Sequence, residues 1–550
     1  MLAREQGAIA VFVTTVSFLG FTLLVAAISY LRTRHDRMTT WDAYFLGGRS
    51  LTAWVIAGSL MLTNLSTEHL IGLNGDAFKH TIAVTAWETT AALAMVGMAL
   101  YFLPRFLRMG LSTLPEYLAK RFDQTTGVIA AVMFLFSYVL AILPVVLLFG
   151  ASGINTLFEL QDLFGLSQSQ VTWLLVWGVG MLGSLYAIFG GLKAVAISDT
   201  VNGVGFLFVG LLVPLLALVQ IGDGNPWMGL TEVYVEERPK FDITGDEPGS
   251  FLPFGVLFTG MVVNQIFFWC AGQQIIQRGL GARNLKEGQK GVLIAACFKL
   301  LGPLVIVLPG VLAYHLFKDT LGPEDYLLAY PALVKAVLPA WLGGLFAAVM
   351  VGAVLSTFNS VLNSSATLFC RDIYAAVLRP SASPRELVKA GRACSVVLAI
   401  AAMSIAPLID TSGSLYNYLQ RINATFFGPM LAVLLLGMLD KRVSAFSARA
   451  GLVGGPVLFF LLVFSFDEPV QAFLQGLFGT ADEVHFLHFL GLVFVVVVAF
   501  MLLVSRFRPE RSQYVEPEAP PVDMTPWRHA KALGAFVCVC TVVCYVLLAQ

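Results

Sequence analysis

Charge is scarce in this 550-residue chain: only 12% of its residues are Asp, Glu, Lys or Arg, against 57% hydrophobic, with a mean hydropathy of +0.80. A soluble protein of this length could not cover its surface with so few charges, so the chain is a membrane protein. The 34 basic and 34 acidic residues cancel, which leaves no basic surface for nucleic acid. No glycine loop leads into a lysine with phosphate-binding spacing. The seven cysteines lie singly or in close groups within apolar segments, as in VCVCTVVCY, with neither disulfide-framework nor metal-ligand spacing, and are expected to be small buried hydrophobes. Short alternating segments, which a membrane barrel requires, are missing as well.

What is present is a succession of apolar runs of about 20 residues, each able to cross roughly 30 Å of hydrocarbon as a helix. About fourteen are counted, centred near residues 20, 63, 92, 139, 180, 210, 264, 304, 355, 399, 425, 457, 495 and 540. The first, Ile9 to Leu31, is too long for a signal-peptide core and lacks a small-residue cleavage site after it, so it is expected to be retained. Basic residues cluster after odd-numbered spans: Arg32, Arg34 and Arg37; Arg105, Arg108, Lys120 and Arg121; Arg278, Arg283, Lys286 and Lys290; Arg371, Arg385 and Lys389; Lys441 and Arg442. The loop between spans six and seven is acidic, with Glu232, Glu236, Glu237, Asp242, Asp246 and Glu247. The positive-inside rule then puts odd-numbered exits in the cytoplasm and both termini outside. The expected location is the plasma membrane, the inner membrane in a bacterium. Residues 506–526, rich in proline and charge, are expected to be a cytoplasmic linker before the last helix. One membrane domain, 1–550, takes up the whole chain.

Two spans break the apolar pattern. Span two carries LTNLSTEHLIGLNG and span seven TGMVVNQIFFWCAGQQ, polar and glycine-bearing at mid-membrane depth. They begin two five-helix blocks of opposite orientation, 53–222 and 251–438. Inverted repeats whose first helices are interrupted point to a LeuT-type secondary transporter, in which unwound backbone near the midplane binds ion and substrate. Polar residues hydrogen-bonded to neighbouring helices are the simpler alternative.

An unpaired charge near the bilayer centre costs at least about 3 kcal/mol, so ionisable residues inside spans are functional candidates. Glu88 in span three, Lys299 in span eight and His69 in span two qualify. Glu88 and Lys299 are either a structural ion pair or, facing a wet cavity, a donor and an acceptor for a polyhydroxylated solute, with Gln420 able to serve as both. Asp199, at the start of span six, is either a cap or a residue of a cation pathway. Span nine holds Ser356, Thr357, Ser360, Ser364 and Ser365. Ser364 and Ser365 are expected to serve helix packing, while Ser356 and Thr357 suit a sodium ion, a hard cation satisfied by hydroxyls and free carbonyls.

With YFLGGRSLTAW, NLSTEHLIGLNG, SLYAIFGGLKAV, FFWCAGQQIIQRGLGARN and LNSSATLFCRDIY, nearly the whole chain resembles the sodium/solute symporter family, and within it the sodium/sugar branch. The resemblance implies a sodium site formed by Leu62, Leu65, Ala353, Ser356 and Thr357, and a sugar site that includes His69, Glu88, Gln265, Phe268, Trp269, Lys299 and Gln420. Asp199 matches an aspartate on the sodium exit route. Asn64 matches the partner of a gating tyrosine, whose place is taken here by Phe268; Gln265 replaces a sugar-binding asparagine and Ala91 a serine. The expected activity is sodium-coupled import of a neutral sugar, a hexose such as galactose or glucose, with no cofactor beyond the coupling ion and no covalent chemistry. An inositol, a carboxylate or an amino acid is the alternative solute. An uncoupled sensor is less favoured because no signalling domain follows. An enzyme is disfavoured because paired carboxylates and metal-ligand spacing are missing.

Overall fold

The computed structural model describes residues 2–36, 40–158, 160–245, 251–409, 414–478, 483–509 and 514–548. Arg37, Asp246, Glu247 and residues 510–513 of the expected linker lie outside these. Among the described residues the chain is helical, with two isolated β-bridges and no named strand. Ten helices among these residues are long and apolar enough to cross a membrane: Phe12–Thr33, Ile82–Arg108, Gln124–Phe158, Gly190–Ile221, Trp341–Leu378, Pro384–Leu408, Leu415–Leu439, Ala445–Ser465, Phe486–Phe507 and Ala530–Leu548. An eleventh, span eight, is Leu285–Lys299 with Gly302–Phe317, bent by 50°. Three further expected spans fall short of that test for visible reasons. Spans two and seven are broken, with apolar halves Ala53–Asn64 and Gly260–Cys270. Span five is the first part of Gln168–Ile221, parted from span six only at Gly191, whose φ of 60° and ψ of −176° are open to glycine alone.

Span two stops at Leu65, which has the non-helical angles φ −77° and ψ 79°. The chain resumes as a π-turn over Glu68–Leu73 and a short helix, Asn74–Lys79. The outer end of that helix is closed by Lys240, from the loop after span six, whose ammonium donates to the carbonyls of Phe78 and His80, each at 2.7 Å. Burial pushes this ammonium down to about 8. Span seven breaks at Ala271 and Gly272, where both amides turn back to the Phe267 carbonyl at 2.9 and 2.8 Å, and it resumes as Gln273–Leu280.

Two expectations are corrected. Arg278 is not a loop charge: it lies in the second half of span seven and is fully buried. The segment 506–526 is not a free linker. Span thirteen reaches Phe507, and residues 514–526 form a strap laid across the ends of other spans. The Ala519 amide donates to the Arg108 carbonyl at 2.9 Å, the Leu285 amide donates to the Asp523 carbonyl at 2.9 Å, and Glu516 pairs with Arg105. Helix ends leave backbone groups without helical partners, and an extended proline-rich strap supplies them.

Helix contacts around span two are close. A Cβ on Gly75 would come within 2.6 Å of the Tyr326 ring and 2.7 Å of its carbonyl oxygen, whereas one on Gly97 in span three would meet nothing within 4 Å. Gly75→Ala is therefore expected to destabilise the protein by about 1–3 kcal/mol and to lower its melting temperature in detergent. Gly97→Ala should leave that temperature unchanged or raise it. Equal shifts for the two variants would contradict the packing described.

Candidate functional site

Between the breaks of spans two and seven lies a cavity lined by Thr63, Asn64, Glu68 and His69 of span two, by Asn264, Gln265, Phe268, Trp269 and Gln274 of span seven, and by groups from spans three, four, nine and eleven. The break in span two is what turns polar side chains inward there. Space for water-sized centres is about 50 Å³, enough for a few waters at roughly 10–15 Å³ each.

Of the expected solute-binding residues, His69, Gln265, Phe268, Trp269 and Gln420 meet in this lining, together with Asn64 and Thr357. The Gln265 amide donates to the Trp87 carbonyl at 2.8 Å, which fixes its orientation. Phe268 and Trp269 meet edge to face, with centroids 5.4 Å apart. Asn64 Oδ1 is buried without a hydrogen-bond partner, and Asn64 and Phe268 line the same cavity.

Glu88 and Lys299 are not in the lining. They form a buried ion pair one layer behind it, with Lys299 Nζ 2.6 Å from Glu88 Oε2 and side chains 2% and 1% exposed. The other carboxylate oxygen of Glu88 is 3.7 Å from His69 Nε2, and Lys299 Nζ lies 5.4 Å from the centre of the Trp269 ring. The two residues form the ion pair that the sequence left as one of two readings, and both adjoin side chains that line the cavity.

The sodium-site candidates surround the break itself. In an unbroken helix the Leu62 carbonyl would accept from the Ser66 amide and that of Leu65 from the His69 amide. Here Ser66 N donates to Asn64 O at 2.9 Å and His69 N to Ser66 O at 3.1 Å, which diverts both amides from those carbonyls. Facing them in span nine, Thr357 Oγ1 donates to the Thr63 carbonyl at 3.0 Å, and the Ser356 hydroxyl is buried on the side of Asp199. Ala353 is fully buried one turn away. Diverted carbonyls and buried hydroxyls are a neutral oxygen set that fits sodium. Ser364 donates to Gln277 Oε1 at 2.7 Å and Ser365 to the Val361 carbonyl at 2.8 Å, which are packing roles.

Asp199 belongs to a second polar layer. Ser59 Oγ donates to its Oδ2 at 2.7 Å, and Arg278 Nη2 stands 3.7 Å from the same oxygen. Arg278 also donates to Ser59 Oγ at 3.2 Å and to Ser360 Oγ. Tyr138 donates to Gln274 Oε1, just above. Asp199 and Ser356 share the wall of a separate cavity with Asn202 and Asn359. Sequence reasoning gave no site role to Glu68, Tyr416, Asn264, Gln274 or Asn423, and read Arg278 as a loop charge. The first five carry the same signal as those it chose, a polar side chain inside an apolar run, but nothing in the pattern says which way each faces.

Paired broken helices enclosing a polar cavity with diverted carbonyls define a secondary transporter fold. The solved structure of a Na+-coupled sialic acid symporter, in a substrate-bound outward-open state, superposes with a TM-score of 0.75 at 19% identity, covering 91% of this chain and 99% of that one. The profile described as sodium:solute symporter family matches residues 44–455. This chain belongs to the sodium:solute symporter family. The uncharacterised symporter YidK of Escherichia coli (strain K12) is 39% identical over 520 residues, 94% of this chain and 87% of that protein. The sodium/glucose cotransporter of Vibrio parahaemolyticus is 30% identical, over 80% of this chain and 82% of that protein. Sodium/myo-inositol cotransporter 2 of Sus scrofa is 32% identical, over 88% and 75%. The protein is thus a transporter of a small solute whose family couples to sodium.

The pairing of Glu88 with Lys299 makes a stability prediction. Removing one partner of a buried ion pair leaves the other charge uncompensated and typically costs about 3–5 kcal/mol, whereas removing both costs much less. Lys299→Met should therefore lower the melting temperature of the purified protein more than the double substitution Glu88→Gln with Lys299→Met does. A double variant no more stable than the single one would show that the two charges do not compensate each other.

Proposed function

We propose that this protein imports a neutral sugar, a hexose such as galactose or glucose, together with sodium by alternating access. The observation that carries the reading is the composition of the cavity: side chains that accept and donate hydrogen bonds, with aromatic faces beside them, directly against the neutral oxygen set at the break. Hydroxyl groups can satisfy buried amides and carboxylates in both directions, and the ring faces of Trp269 and Phe268 suit the apolar face of a sugar. The named sodium/glucose and sodium/myo-inositol relatives support the same solute class, and the second of them makes an inositol the alternative.

In this reading sodium binds Leu62, Leu65, Ala353, Ser356 and Thr357 and orders the break. The solute docks against His69, Gln265, Phe268, Trp269 and Gln420 once these side chains part, and Glu88 and Lys299 engage it as they do. The blocks 53–222 and 251–438 act as the two inverted repeats that move against each other. Asp199, on the far side of Ser356, lies along the ion's way out, Asn64 and Phe268 form the gate, and both termini face outward from the plasma membrane.

The test is uptake of labelled galactose, glucose and myo-inositol into proteoliposomes under an inward sodium gradient. Accumulation that collapses when sodium is replaced by choline is expected; no accumulation of any neutral polyol would sink the reading. Ser356→Ala should raise the sodium concentration for half-maximal uptake several-fold and leave the order of preference among solutes unchanged. A changed solute preference with unchanged sodium dependence would count against the ion site.

A further inference from the structure

Four ionisable side chains from three spans stand in a row beside the cavity. Glu68 Oε1 is 3.7 Å from His69 Nδ1, His69 Nε2 is 3.7 Å from Glu88 Oε1, and Glu88 Oε2 is 2.6 Å from Lys299 Nζ. The row contains two acids and one obligate base. Lys299 is taken by Glu88, so the row is one positive charge short, and the shortfall lies at the cavity end. There Glu68 is 5% exposed, its Oε2 and His69 Nδ1 have no hydrogen-bond partner, and both residues line the cavity. The polar neighbours of Glu68, the Ser66 hydroxyl and its own amide, carry no charge, and a buried carboxylate without a counter-charge is among the costliest groups a membrane interior can hold.

The surrounding elements do not make up the deficit. Span three offers Glu88 and span eight Lys299, both already counted. Span eleven offers Tyr416, whose ring stands edge-on to His69 at 5.7 Å, and Arg421, whose guanidinium is turned to the Phe486 ring at 5.9 Å. Tyr326 and Tyr330, from the helix Tyr326–Val337 packed against this turn, bring phenols, and Lys335 of the same helix lines a different cavity. Asp76, farther out on span two, faces Ser414. Arg278 lies one layer away beside Asp199. A neutral solute cannot supply the missing charge either.

We propose that the cavity is a proton site: Glu68 and His69 together hold one proton, and a neutral solute binds to that protonated form. The inference rests on the solute reading above. With the proton in place the row reaches overall neutrality, and a hydroxyl of the solute can bridge the 3.7 Å gap on either side of the imidazole. No other ion is needed there, and the sodium oxygen set at the break is left as it is.

The test is equilibrium binding of labelled solute to the purified protein at saturating sodium across a range of pH. Linkage to one proton predicts a wild-type affinity that is flat at low pH and, above the titration of the pair, falls about tenfold per pH unit. In E68Q, whose amide mimics a neutral carboxyl, the affinity should not vary with pH over the same range. Alongside it, a pH-sensitive dye reports protons taken up when solute is added to weakly buffered wild-type protein on the alkaline side. Uptake approaching one proton per solute bound supports the proposal even where E68Q fails to bind. A wild-type affinity that does not change with pH, an absence of proton uptake, or an E68Q profile that parallels the wild type would each overturn it. If no neutral solute binds at any pH, the solute reading itself has failed, an outcome distinct from binding without a proton.

Discussion

The rest of the molecule is arranged around one backbone gap. At membrane depth water is not there to take an unmade peptide hydrogen bond, so a break in a helix survives only where protein groups replace the lost partners. Span two gives up its helical bonding at Leu65, and span nine answers with Thr357, which donates to the Thr63 carbonyl at 3.0 Å. That bond ties two spans together, and its neighbours are the carbonyls that suit an ion. Beyond the gap, the π-turn rotates Glu68 and His69 into the cavity. The second break, at Ala271 and Gly272, leaves Phe268 and Trp269 on one side and delivers Gln274 and Arg278 to the other.

Buried charge follows the same geometry in two layers. Beside the cavity stand Glu68, His69, Glu88 and Lys299; beyond it stand Asp199 and Arg278, linked through Ser59 and Ser360. Each layer holds one close pair, Lys299 with Glu88 and Arg278 with Asp199, because a buried charge without a partner is strongly destabilising. The second layer uses arginine, whose planar fork reaches Ser59, Ser360, Asp199 and the Gln274 carbonyl at once, a task the single ammonium of lysine could not perform. Gln274 joins this layer to the cavity it lines, since its carbonyl accepts from Arg278.

Much of this was legible in the sequence. The spans were, because apolar runs of membrane length admit few other readings, and the two broken helices were, because polar residues at that depth need a reason. Individual positions were harder to read. Arg278 was misplaced because counting basic residues near span ends cannot distinguish a loop from a helix that resumes after a two-residue break. The strap was misplaced because proline and charge describe a segment's freedom only when no helix ends nearby lack partners. Glu88 and Lys299 were legible as intramembrane charges, either paired or facing a solute; that they pair behind His69 and Trp269 depends on side-chain direction, which the apolar pattern does not carry. Glu68 was visible without a role, since its meaning lies in which nitrogen of His69 it faces.

Coupling between ion and solute has a short path in this arrangement. The carbonyls suited to sodium, at Leu62 and Leu65, and the side chains suited to the solute, at Asn64 and His69, occupy eight consecutive residues, with the Thr63 to Thr357 bond in their midst. An ion that straightens or tightens this segment necessarily moves Asn64 and His69, and a solute that pulls on His69 moves the carbonyls. Such mutual dependence is reciprocal in free energy, so whatever factor sodium contributes to solute affinity the solute returns to sodium. The narrowness of the cavity strengthens the argument. A cavity with room for a few waters has to part its walls for a larger solute, and the broken segment, with the Ser66 and His69 amides diverted, is a wall that lacks regular helical hydrogen bonds. On the proposed sites, the gap that would supply the ion's ligands is also part of the solute's enclosure, so binding at one would be felt at the other.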